Sequence, residues 1–98
     1  MTIEKLESEF AARLQDGIRQ SYDLGYPPTR IEQMLKESGA RTVAKRLVAT
    51  GDIHTGLKEM AKLGRKDLTV ESIMLEEKFR PLFEKRELDA AKFRLTQV

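Results

Sequence analysis

The chain has 98 residues, 40% of them hydrophobic and 35% charged, a length that supports one domain with a thin core and is too short for two. There is no cysteine, which excludes disulfides and thiolate metal sites and fits a reducing compartment. No apolar run approaches the roughly 18 residues of a membrane-spanning helix, and the start, MTIEKLESEF, lacks the basic stretch and apolar run of a signal peptide, so a bacterial-type cytoplasmic protein is expected.

In chain order, Ile3, Leu6, Phe10, Leu14, Ile18 and Tyr22 recur at spacings of three and four. That is one stripe of an α-helix of about six turns. Gly25 can take the left-handed conformation that stops it, and Pro27-Pro28 prevents continuation. Thr29 to Glu32, TRIE, has the form of a capping box before a short helix with Ile31, Met34 and Leu35 on its apolar face. Gly39 ends that helix. Val43, Ala44, Leu47 and Val48 predict a third, ending near Gly51. Thr55 suits the N-cap of a fourth, with Leu57, Met60, Ala61 and Leu63 inward and Gly64 at its end. Thr69 caps a fifth, with Glu71 in its first turn and Val70, Ile73 and Met74 inward. FRPLF reads as a turn, and a last helix over about 85–96 buries Leu88, Ala91 and Leu95. No segment has the period-two alternation of a half-buried strand. The expected fold is all-α: a compact bundle of about six short helices with a longer N-terminal one. It forms a single domain over 1–98, with the long helix in 1–24 and a helical core in 25–96.

Charge is unevenly spread. The net charge is only +2, yet residues 40–66 hold seven Lys/Arg against two Asp/Glu. Arg41 and Lys45 stand four apart beside Arg46. Lys58 and Lys62 stand four apart on the next helix, which leads to Arg65 and Lys66. If the two helices pack side by side, these seven residues form a positive strip able to meet an anion or a nucleic-acid backbone. As an ordinary solvated face, the same residues would complement helix C-termini. The stretch IEQMLKESGARTVAKRLVAT has the outline of a helix-turn-helix. It departs from that pattern at Leu35, where a small residue is expected, and at Lys45, where a buried aliphatic is expected.

From Gly25 onward the residues GY (Gly25-Tyr26), AKRLV (Ala44 to Val48), GL (Gly56-Leu57), LGRKDLTVE (Leu63 to Glu71), FRPLF and ELDAAKFRL (Phe79 to Leu95) resemble a family of small bacterial helical domains. These occur alone or at the C-terminus of larger proteins, some of them nuclease-like. The chain departs from that family's usual pattern at Gly39-Ala40, where a Gly pair is common, and at Pro27-Pro28, where aromatics are common. The resemblance implies an all-helical module without a settled activity, and it carries over no catalytic residue.

Candidate chemistry is sparse. His54 is the only histidine, with Asp52 two residues before it, and no nucleophile or further ligand stands at a useful spacing. The pairs Glu76-Glu77 and Glu84/Glu87 lie among Lys and Arg at spacings that give surface ion pairs. No catalytic, cofactor-binding or metal-binding residue is assigned, and no cofactor is expected. The charged turn LGRKDLTVE reads as a folding device: Gly64 as a helix C-cap, Arg65 on helix carbonyls, Asp67 on turn amides and Leu68 pinned to the core. The preferred expectation is a non-enzymatic binding module with a protein partner. Homodimerisation through the first helix, whose small residues at Ala11 to Leu14 allow close packing, belongs to that reading. The alternative is a nucleic-acid-binding accessory protein that uses the 41–66 strip.

Overall fold

Helix α1 (Ile3–Asp23) is the axis on which the other elements are laid. The computed structural model describes residues 2–50 and 55–98, with Thr55 as backbone only. At 1.5 Å per residue, the 21 residues of α1 run nearly the full 35 Å of the longest dimension. Thr2 opens the helix, its hydroxyl accepting from the Lys5 amide at 3.1 Å. Leu6, Phe10, Leu14 and Ile18 are buried, as their spacing predicts. The two ends of that stripe, Ile3 and Tyr22, are exposed.

Gly25 sits at φ 82°, and Tyr26 N–H reaches back to Ser21 O at 3.0 Å while Gly25 N–H reaches Tyr22 O. This pair of bonds satisfies the last carbonyls of α1 and turns the chain. Helix α2 (Thr29–Glu37) follows and has no fully buried residue. Thr29 is already helical, Pro28 occupies the cap, and the expected capping box does not form. Glu32 accepts from the Tyr22 hydroxyl instead, tying α2 to α1.

Helix α3 (Ala40–Ala49) buries Val43, Ala44, Leu47 and Val48. The expected Thr55 cap and the residues His54 and Asp52 lie outside what the structure describes at side-chain level. Helix α4 (Thr55–Lys62) buries Leu57 and Met60, but Leu63, just past its end, is exposed. Gly64, at φ 71°, repeats the α1 ending: Arg65 N–H bonds Met60 O at 2.9 Å. A 3-10 turn (Lys66–Leu68) leads to helix α5 (Val70–Met74), capped by Thr69, whose hydroxyl accepts from the Ser72 amide at 3.2 Å.

A 3-10 segment (Glu77–Leu82) carries Pro81, and helix α6 (Lys85–Thr96) follows. Glu84 and Glu87 form a capping box at its start, where spacing alone suggested only ion pairs. The described residues contain six α-helices and no strand.

The core closes around Phe10. Phe79 and Phe83 meet its ring edge-on, with centroids 5.3 and 5.4 Å away. Ala44, Leu47, Ile73, Met74, Leu82 and Ala91 complete it, with Leu88 half-buried at its margin. Helix α1 is therefore part of the same core as residues 25–96. Gly17 lets it come close: a side chain there would begin 3.3 Å from Leu68 O and 3.4 Å from Ile73 Cδ1.

Candidate functional site

The basic residues of 41–66 are divided among α3, α4 and the turn that follows α4. Helix α3 packs chiefly against α1, α2, α5 and α6, whereas α4 packs chiefly against the turn Lys66–Leu68. Most of these cations also have work inside the molecule. Arg41 donates Nε to Leu82 O at 2.7 Å and pairs with Glu7 at 2.9 Å. Lys45 meets Glu87 at 3.4 Å, joining α3 to α6. Lys62 pairs with Glu59. Arg46 donates to the Ser38 hydroxyl at 3.1 Å, and Lys58 is exposed.

The turn after α4 is built from local contacts. Arg65 grips Asp67 with two N–H groups at 3.1 Å and donates to Gln20 of α1 at 3.0 Å. That guanidinium holds the Asp67 carboxyl below its ordinary 3.8, and the carboxylate in turn raises the Arg65 pKa. Sequence reasoning placed Arg65 on helix carbonyls; the closer carboxylate takes it. Lys66 has the carbonyl role, donating to Val98 O at 2.7 Å and Leu95 O at 3.4 Å at the end of α6. Leu68 is buried, as expected.

One polar cluster has no signal in spacing. Arg94 of α6 donates Nε to Glu71 of α5 at 2.9 Å, and its NH1 to Thr50 O at 3.1 Å. The two side chains are 4% and 0% exposed. Glu71 reads in sequence as a first-turn carboxylate, and Arg94 as one of many helix-surface cations. Only the tertiary crossing of α5 and α6 brings them together. The acidic pairs are likewise absorbed into the structure: Glu76 meets Arg13 at 3.1 Å, and Glu84 meets Arg86 at 2.7 Å. Among the described residues no three metal-ligating side chains converge.

A small, mostly apolar cleft lies beside the start of α2. Leu14, Ile18 and Ser21 of α1, Ile31 of α2, Met60 of α4, and Leu68 and Val70 line it. A second cleft lies beside it, walled by Pro27, Arg30 and Leu47, and the two share Tyr26, Pro28, Ile31 and Gly56. The polar atoms on the floor are satisfied internally: Ser21 Oγ donates to Gly17 O at 3.0 Å and Thr69 Oγ1 to Lys66 O. Of the five large apolar side chains exposed among the described residues, Tyr22, Leu24 and Leu63 lie within one helical turn of the lining residues Ser21 and Met60. Ile3 and Phe93 lie elsewhere. On α1, Leu14 is buried and Ala11 half-buried against the core, which leaves Ala12 as the exposed member of the small-residue patch.

Comparison of the chain with protein-family models, curated proteins and solved structures gave no match.

Proposed function

We propose that the chain is a non-enzymatic helical binding module whose partner is a protein. The observation that carries this reading is the contrast between its two surfaces. In the basic segment, Arg41, Lys45, Lys62 and Arg65 already hold carboxylates and Lys66 holds helix carbonyls. The apolar cleft and the exposed Leu24 and Leu63, close in sequence to its lining residues, have no such internal use, and Tyr22 is held only through its hydroxyl, on Glu32. A phosphate-binding surface gains most of its affinity from cations that displace counterions from the nucleic acid. A cation already paired inside the protein has less to offer, because it must give up one partner to take another. Contiguous exposed apolar surface, by contrast, is what protein-recognition sites present. The resemblance to helical modules attached to larger proteins agrees with this reading.

A titration of random-sequence duplex DNA into the protein over a range of salt tests it. The expected result is weak binding with a shallow salt dependence. Tight binding that falls by about 0.9 log units per decade of salt for each phosphate contacted, and that is lost on changing Arg46, Lys58 and Lys62 to Glu, would favour the nucleic-acid reading.

A further inference from the structure

We infer that α2 is a hinged flap. It detaches from the rest of the fold as a unit, turning about Ser38-Gly39, and the hydrogen bond from the Tyr22 hydroxyl to Glu32 is the latch that holds it down. This is a property of the chain alone and stands whatever the partner is.

The attachment of α2 is thin and is concentrated at its two ends. Alone among the described α-helices, α2 has no fully buried residue. Ile31 and Leu35 rest on the margin of the core, and the helix packs chiefly against α3. Among the described residues, the side chains of α2 make one hydrogen bond to another element, Glu32 accepting from Tyr22 of α1. At the far end, Ser38 Oγ accepts from Arg46 of α3 at 3.1 Å, and only Ser38 and Gly39 separate the two helices. That end therefore stays with α3. At the near end the chain arrives through Gly25, at φ 82°, and the exposed Pro27.

Packing is incomplete at the latched end. Two cavities of about 50 and 140 Å³ adjoin the start of α2, and Pro28 and Ile31 line both. Side chains beside a void lack the contacts that would hold them. The start of α2 thus depends on the Tyr22–Glu32 bond more than on burial. A helix of 9 residues without a packing surface does not persist in water, where roughly 12–15 are needed. A detached α2 accordingly unravels, and its amides meet solvent. Detachment also uncovers Ile18, Leu47 and Met60, which line the cavities with Ile31. The latch so governs how much apolar surface the protein presents.

Native-state hydrogen exchange of the whole chain, followed by NMR at low urea concentrations, tests this. After correction for intrinsic rates, the amides of Gln33 to Ser38 are expected to exchange together, roughly tenfold or more faster than those of Phe10 to Ile18 in α1. Their exchange should depend weakly on urea, because the opening exposes little surface. Phe79→Leu, in the core and lining neither cavity, should speed the α1 amides and leave those of α2 unchanged, since α2 opens while that core stays packed. Should that variant not fold, Ala91→Gly serves the same purpose. Tyr22→Phe keeps the exposed ring and removes the latch, and should speed the α2 amides by about two- to tenfold. Exchange of α2 and α1 with the same rate and urea dependence would overturn the inference, as would core substitutions that speed both alike. Tyr22→Phe without effect on the α2 amides would overturn it too.

Discussion

Arg94 donates its Nε proton to Glu71 across 2.9 Å at a point where neither side chain meets solvent, so that α6 is joined to α5 by charge inside an otherwise apolar core. The same guanidinium reaches Thr50 O at the end of α3. Burying two ions is costly, and the pair is tolerated because each ion neutralises the other. Replacing Glu71 by Gln leaves the Arg94 charge buried, and the expected loss is about 3–5 kcal/mol, a large part of the roughly 5–15 kcal/mol that stabilises a domain. Urea unfolding measures it. The joint change Glu71→Leu, Arg94→Met removes both charges and should cost less than Glu71→Gln alone. A double variant less stable than that single one would show that the pair contributes net stability.

Phe10 stands between two rings. Phe10→Ala removes both edge-on contacts and opens a cavity that α1 cannot close without leaving α3, and should cost about 3–5 kcal/mol. Leu47→Asp places an unpaired carboxylate in the same core and should prevent folding. A Leu47→Asp protein that stays helical and melts cooperatively would place Leu47 outside the core.

Gly64 takes φ 71° with open space where a side chain would begin, so a substitution there meets backbone strain alone. Gly64→Ala should lower stability by about 1 kcal/mol, without altering the helical circular dichroism. An unchanged denaturation midpoint would mean that the turn relaxes to another conformation.

Asp67 gives a pH signature. Its folded pKa is depressed below 3.8 by Arg65, so its contribution is present above the ordinary carboxylate range and is lost as pH falls through the folded value. Because the pair is largely exposed, the effect is small. Asp67→Asn should remove a small part of the stability at neutral pH and make no difference once the pH is below the folded value. Carboxyl NMR of Asp67 titrating at or above 3.8 would contradict the contact.

Periodicity made the core legible where one helix face meets it. Leu6, Phe10, Leu14 and Ile18, then Val43, Ala44, Leu47 and Val48, then Ile73 and Met74 were readable from spacing, as were the cap at Thr69 and the turns at Gly25 and Gly64. Spacing is silent on how far a neighbour extends, so Ile3, Tyr22 and Leu63 were assigned inward and are exposed. It is silent on competition between partners, so Arg65 took Asp67 and Glu32 took the Tyr22 hydroxyl. The basic residues were visible as a cluster along the chain. Their dispersal over α3 and α4, and the cleft formed by residues as distant as Leu14, Ile31 and Met60, are properties of the packing.

Crosslinking in the native cell tests the account most directly. A photo-crosslinking side chain replaces exposed Leu63, three residues beyond the cleft residue Met60, and in a second variant exposed Ile3, at the start of α1. The account predicts a protein adduct from position 63 that persists when nuclease is added before analysis and is weak or absent from position 3. Adducts of nucleic acid, or protein adducts equal at both positions or lost with nuclease, would contradict it.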